Sequence, residues 1–228
     1  MVTSSRIIGI GMTSQRTRTR MIERLRQHGI VDEFILDAMS KTPRHLFVEE
    51  ALASRAYEET ALPIGFGQTI SNPLTVAYML SMVRDQFQHP IKRALEIGTG
   101  CGYQAAIMSH FCEEVFSVER IANLAVKATH YLKQLNYTNV KVLHADGHYG
   151  WVNYAPFDAI VVAAAAREVP AELLSQLACG GKMILPITNN NASRHQQLHL
   201  IHKTHSGMIE QIELKPVHFV PLLNGKVD

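Results

Sequence analysis

The rhythm of apolar positions changes twice along the 228-residue chain. Between Thr19 and Leu62 apolar residues recur at helical spacing: Met21, Ile22 and Leu25, then Ile35, Leu36 and Met39 behind Asp32, then Phe47 to Ala56. This places one apolar stripe on each helical piece, with Asp32 positioned as a cap and Gly29 and Pro43 as breaks. Residues 62–73, LPIGFGQTISNP, gather Gly, Pro, Ser and Asn and read as an ordered loop, followed by an apolar helix from Leu74 to Val83.

After Pro90 short apolar runs alternate with helical stretches, the sign of βαβ units and a parallel sheet. Strands are predicted at Ala94 to Ile97, Val115 to Val118, Val140 to His144, Ala159 to Val162 and Lys182 to Pro186. Helices are predicted near Tyr103 to Phe111, Ile121 to Leu135 and Ala171 to Leu177. The last forty residues change to alternation, with Leu198 and Leu200 followed by Met208, Ile209, Ile212 and Leu214. Joined through Ser206 and Gly207, they predict an antiparallel hairpin at the sheet edge. Asn189, Asn190 and Asn191 read as an exposed turn. The fold class is therefore α/β: a mostly parallel sheet flanked by helices, with a C-terminal antiparallel hairpin and an N-terminal helical extension.

Composition narrows the function classes. A content of 46% hydrophobic residues supports a packed core, and 22 basic against 20 acidic residues leave a net charge of only +2. No electrostatic footprint for nucleic acid or an anionic membrane stands out. The apolar patch at Ile7 to Met12 is too short for a secretory segment or a membrane span. Cys101, Cys112 and Cys179 form no CxxC pair, and their odd number rules out complete internal pairing, which fits a reducing cytoplasm.

The candidate chemistry begins at LEIGTGCGYQ, Leu95 to Gln104. Gly98, Gly100 and Gly102 follow a strand and open a helix, so backbone amides and a helix N-terminus can approach a ligand closely. A nicotinamide fingerprint needs its third glycine where Tyr103 stands, so GxGxG points away from a dehydrogenase. Glu119 ends the next predicted strand, 21 positions after Gly98, where a carboxylate can accept both hydroxyls of a ribose. Asp146 and Gly147 follow the third strand and are placed to border an adenine. Taken singly, Glu119 also reads as a solvated residue paired with Arg120 or a lysine, and Asp146-Gly147 as a turn; their joint spacing at successive strand ends favours a binding role.

The segments LPIGFGQTIS, LEIGTGCGYQAAI, VFSVERI, HADGHYGW, PFDAIVVAAAA, LACGGKMILPI and HFVPL together resemble the protein-L-isoaspartate O-methyltransferases. With RLRQHGIVDEFILDAMSKTPRHLFV, the resemblance runs from about residue 20 to 225. It implies a Rossmann-like methyltransferase fold over residues 17–228, behind a flexible lead-in at 1–16. Residues 17–90 would form a helical part with the substrate loop, and 91–228 the cofactor-binding core. It also implies S-adenosylmethionine as donor, S-adenosylhomocysteine as product, and the free carboxylate of L-isoaspartyl residues in damaged peptides and proteins as acceptor. The methyl ester would then collapse to a succinimide, whose hydrolysis restores part of the normal linkage.

Carried over by position, the catalytic serine falls on Ser71, and the cofactor contacts on Glu96, Gly98, Glu119, Asp146 and Gly147. Gln68, Thr69 and Ile70, in the same loop as Ser71, join Thr99, Gly100 and Arg120 in completing the candidate cofactor-binding set. Asn72 and Leu74 depart from the family's usual residues beside the proline, and Ala163 to Ala166 from a more varied stretch. On residue chemistry alone Ser71 reads as the cap of a helix starting at Pro73. An isoaspartyl carboxylate is already ionised at neutral pH, so its methylation needs positioning rather than a strong base. A neutral hydroxyl can orient it without holding the anion too firmly.

Alternative acceptors are a small molecule or a nucleic acid, and a non-catalytic cofactor-binding module is a third reading. The Asn-Pro-Pro-aromatic segment of amine methylation and a Pro-Cys nucleophile are both lacking. Ser71-Asn72-Pro73-Leu74 is only a near-match, and it precedes the glycine turn. His195, His199, His202 and His205 read as a solvent-facing hairpin rather than a metal site, and no metal is expected. Cys101 reads as a small residue tolerated in the turn, without a partnered histidine. The partners expected are isoaspartyl peptides and proteins, with no nucleic acid, no membrane and a monomeric chain.

Overall fold

The computed structural model describes residues 7, 9–85, 90–189 and 195–228. Helices α1 (Gln15–Gln27) and α2 (Glu33–Lys41) bury Met21, Ile22 and Leu25 against Ile35, Leu36 and Met39, on the stripes that their spacing dictates. Asp32 caps α2 through Oδ1, which accepts the Phe34 and Ile35 amides at 3.0 and 3.3 Å. The same carboxylate takes Arg84 at 2.7 and 2.9 Å, tying the start of α2 to the end of α3 (Pro73–Arg84).

Within the expected lead-in, a 3₁₀ turn forms at Gly11–Thr13 and α1 begins at Gln15. Buried Arg18 donates to the Ile7 carbonyl at 2.9 Å and to the Ser40 carbonyl at 3.1 Å, which fastens this segment to the helical layer. Phe47 to Ala56, expected as a helix, instead holds a 3₁₀ turn at Glu50–Arg55. Arg44 captures the Ala56 carbonyl at 2.7 Å and draws the chain back on itself. Residues 62–73 are also more regular than the expected loop: β1 (Leu62–Gly65) and β2 (Gln68–Ile70) form a small antiparallel hairpin.

The main sheet has seven strands in the order β5-β4-β3-β6-β7-β8-β9. Its members are β3 (Ile91–Ile97), β4 (Cys112–Glu119), β5 (Val140–His144), β6 (Phe157–Val162), β7 (Leu177–Thr188), β8 (Gln196–Lys203) and β9 (Ile209–Val217). The first five are mutually parallel, and β8 and β9 join antiparallel. The expected hairpin closes at Gly207, whose amide donates to the Thr204 carbonyl at 2.9 Å and whose φ is 85°.

Two apolar clusters cover the faces of the sheet. On one face Ala94, Ala159 and Val161 meet α1, α2, α3, α4 (Tyr103–Met108) and α5 (Ala122–Gln134). On the other, Leu95, Ile97, Ile160 and Val162 meet Leu173 of α6 (Ala171–Ser175), Trp151 and Tyr154, whose ring stacks on Phe116 at 4.2 Å. Burial on both faces explains why the central strands read as continuous apolar runs. It also corrects the reading of His199 as solvent-facing. Strand β8 lies inside the edge strand β9, and His199 is buried beside Gln211. His195 and His205 are exposed, and Asn190 and Asn191 of the predicted turn lie outside the described residues.

Candidate active site and cofactor cleft

Strand order reverses between β3 and β6, because β3 leads outward to β4 and β5 on one side and β6 to β7 on the other. Such a switch point opens a crevice at the C-terminal ends of the strands. A cleft of about 810 Å³, its open mouth included, occupies this position. Its floor is Gly98 to Cys101 of the glycine turn, in which Gly98, Gly100 and Gly102 take φ of 91°, 55° and 88°. These positive values suit glycine alone without strain. A side chain at 100 would also come within 3.1 Å of Ile64 of β1, so the absent Cβ lets the hairpin close over the turn.

Glu119, at the end of β4, lines the cleft with both oxygens placed by backbone donors. Oε2 accepts the Gly100 amide at 2.8 Å and Oε1 the Ile121 amide at 3.0 Å. Each carboxylate oxygen keeps further lone-pair capacity, which is what a ribose diol requires. Arg120 does not pair with Glu119. Its guanidinium donates to the Gly225 and Asn224 carbonyls at 3.1 and 3.3 Å, holding the C-terminal segment.

Glu96 is fully buried behind the cleft wall. Gln104 donates to its Oε1 at 3.1 Å, and Ser117 Oγ lies 2.5 Å from Oε2 and 2.6 Å from Thr99 Oγ1. Burial pushes this carboxyl up to about 8, against the hydrogen bonds from Ser117 and Gln104 and with a further upward push from Glu119. Its route to the cleft runs through Thr99 and Gln104, which both line it.

After β5, Gly147 lines the cleft, where a Cβ would come within 2.5 Å of Ile97 Cγ2. Asp146 turns away from it. Its Oδ1 accepts the His148 amide at 2.9 Å and its Oδ2 the Gly225 amide at 2.6 Å. Partial burial opposes ionisation, but these amides and the His148 ring outweigh it and hold the Asp146 carboxyl below its ordinary range. Cys101 is buried in the turn, and desolvation pushes its thiol up to about 11, so it is no activated nucleophile. Among the described residues no group of His, Cys, Asp and Glu is arranged to hold a metal ion.

The opposite wall is Gln68, Thr69, Ile70 and Ser71. The cap of α3 is Asn72, whose Oδ1 accepts the Leu74 amide at 2.9 Å, while its Nδ2 donates to the Glu59 carbonyl at 2.9 Å. This corrects the reading of Ser71 as the cap. Among the described residues the Ser71 hydroxyl has no hydrogen-bond partner. Of the sequence-derived candidates, Gln68 to Ser71, Gly98 to Gly100, Glu119, Arg120 and Gly147 meet around one cleft, whereas Glu96 and Asp146 stand outside it.

Sequence reasoning missed two further walls. Ala163 and Ala164 follow β6, and Val220 to Leu223 cross the mouth. The first pair had a signal, because the residue after β6 falls beside Gly98 once β6 neighbours β3. The second lay in HFVPL and the leucine after it, without an assigned role.

A glycine turn at the switch point, an acid ending the next strand and two antiparallel terminal strands define the class of Rossmann-like methyltransferases. The family model for protein-L-isoaspartate(D-aspartate) O-methyltransferase matches residues 16–227, and the chain belongs to that family. A protein-L-isoaspartate O-methyltransferase of Methylobacillus flagellatus is 52% identical over 98% of this chain and 99% of its own. One of Nitrosomonas eutropha is 49% identical over 99% of each. A solved protein-L-isoaspartate O-methyltransferase superposes with a TM-score of 0.82 at 29% identity, covering 92% of this chain and 67% of that one. A Plasmodium falciparum structure described as a beta-aspartate methyltransferase, in complex with S-adenosyl-L-homocysteine, gives 0.78 at 28% identity and covers 90% of this chain and 98% of that one.

Proposed function

We propose that the chain transfers a methyl group from S-adenosylmethionine to the free carboxylate of L-isoaspartyl residues in peptides and proteins. The observation that carries this reading within the family is the unengaged Ser71 hydroxyl on the wall facing the glycine turn. The residues present fit the donor: the remaining acceptor capacity of the Glu119 carboxylate suits its ribose, and the Cβ-free turn admits it closely. The bound donor supplies an electrophilic methyl on a sulfonium. Ser71 donates a hydrogen bond to one oxygen of the acceptor carboxylate and aims the other along the line of attack. Walls at Ile70, Val76 and Leu222 keep water from competing. The new bond is oxygen to methyl, the broken one sulfur to methyl, and no proton need move.

The acceptors are isoaspartyl proteins, in keeping with a repair role, and the enzyme acts in the cytoplasm as a monomer. Three free cysteines suit that compartment. Among the described residues no helix is long and apolar enough to cross a membrane.

Labelled S-adenosylmethionine and matched peptides with normal or isoaspartyl linkages test the assignment through base-labile methyl ester. Label should enter only the isoaspartyl peptide; label in neither overturns the reaction, and label in both overturns its specificity. Ser71→Ala should lower kcat about 10²-fold, the scale of a misplaced reacting group. Its Tm and its affinity for S-adenosylhomocysteine should stay unchanged, since the hydroxyl holds nothing in the fold. Unaltered turnover removes Ser71 from the reaction.

A further inference from the structure

The tip of the β1–β2 hairpin is Gly65-Phe66-Gly67, and all three residues have positive φ: 91°, 55° and 68°. For the two glycines this costs nothing, but an aromatic residue in the left-handed region carries about 1–2 kcal/mol of strain. Phe66 is also 58% exposed, and no ring or cation contact engages it among the described residues. Open space surrounds its neighbours, since an added Cβ at Gly65 or Gly67 meets nothing within 4 Å. Neither the turn nor the core therefore calls for an aromatic side chain at 66, and a third glycine would satisfy the backbone better. What distinguishes the position is its place in the chain. Phe66 stands two residues before Gln68, the first of four consecutive residues forming the wall that ends at Ser71. Its carbonyl accepts the Gln68 side chain at 3.3 Å, which couples the tip to that wall.

Because Ser71 ends the wall that the hairpin forms, an acceptor peptide that delivers a carboxylate to it has a path along the hairpin toward the tip. At about 3.3 Å per residue, an extended chain covers the span from Ser71 to the tip in about three to five residues. A rigid, exposed aromatic at that reach binds an apolar side chain at small entropic cost.

We propose that Phe66 is a substrate-binding residue, clamping an apolar side chain of the acceptor peptide about three to five residues from the isoaspartyl position. This rests on the isoaspartyl reading of the acceptor. The test uses isoaspartyl peptides with serine flanks, in which one leucine is moved through the third to fifth positions on either side. For the wild-type chain, KM should fall about tenfold for leucine at one such placement. Phe66→Asn, which tolerates the left-handed backbone but lacks the apolar body, should erase that fall. Its kcat and its KM for S-adenosylmethionine should be unchanged, and Phe66→Tyr should keep the preference. Equal KM values across the set for the wild type, or the same leucine preference in Phe66→Asn, overturn the clamp while leaving the reaction intact. A rise in the KM for S-adenosylmethionine as large as the peptide effect also overturns it, by making Phe66 structural. Failure of the wild type to methylate any isoaspartyl peptide overturns the acceptor reading and the clamp with it.

Discussion

Glu96 sits with no exposed surface between Ser117, Gln104 and the glycine turn. Its folded titration point of about 8 lies above the ordinary 4.5, so between those values the folded chain holds a proton that the unfolded chain has released. Stability from this group is therefore present below about pH 4.5, declines as pH rises toward about 8, and is level above it. Glutamine reproduces the protonated shape, accepting from Gln104 and donating to Ser117. Glu96→Gln should thus raise Tm relative to the wild type more at pH 8.5 than at pH 5.5, as read by scanning calorimetry. An equal difference at both values would show that Glu96 is ionised in the fold. Legibility at this scale followed local geometry. Glu119 and Gly147 reach the cleft because strand length and turn position place them, and both can be counted along the chain. Glu96 and Asp146 hold motif positions equally well, yet the pleat turns the first inward and two amides turn the second toward Gly225.

At the scale of elements, the segment between Leu62 and Arg84 illustrates a limit of composition. Glycine, proline and asparagine signal departure from regular structure, so the short β1–β2 pairing was hidden behind its own turn residues. The parallel strands were legible because double-sided burial forces long apolar runs, and only their ends moved, with β3 starting at Ile91 and β7 at Leu177. Cap assignment depended on a choice between two adjacent residues with equal propensity. Asn72 takes it, and its amide nitrogen also fixes the Glu59 carbonyl, so one side chain positions both the helix and the loop carrying Ser71. Asn72→Ala should cost about 1 kcal/mol from the lost cap, lowering Tm by about 2–4 °C. It should also lower kcat more than it raises the KM for S-adenosylmethionine, because Ser71 is then free to take up the cap. Steady-state kinetics beside a melting curve check both, and a kcat equal to the wild type would separate loop position from turnover.

For the whole molecule, the last eleven residues tie together the ends of strands that lie on opposite sides of β3. After β9 the chain crosses the C-terminal ends of the strands. The Leu222 amide donates to the Ala165 carbonyl after β6 at 2.8 Å, and the Val227 amide to the Arg120 carbonyl after β4 at 2.7 Å. Between these, the Gly225 amide bonds Asp146 after β5, and Val220 to Leu223 wall the cleft. None of this was legible, because hairpin alternation stops at Val217 and the remaining contacts reach residues about 60 to 100 positions away. Two truncations separate its roles. Ending the chain after Leu223 keeps the wall but removes the ties to Asp146 and Arg120; ending it after Phe219 removes the wall as well. A ligand at a hundredfold excess over Kd stabilises the wild type by about 2.7 kcal/mol, a Tm rise of about 5–10 °C. With S-adenosylhomocysteine, the longer truncation product should show a reduced rise and the shorter none, while without ligand both keep a cooperative melt from the sheet and its two clusters. A full rise after truncation at Phe219 would show that the crossing segment closes the cleft without helping to hold the cofactor.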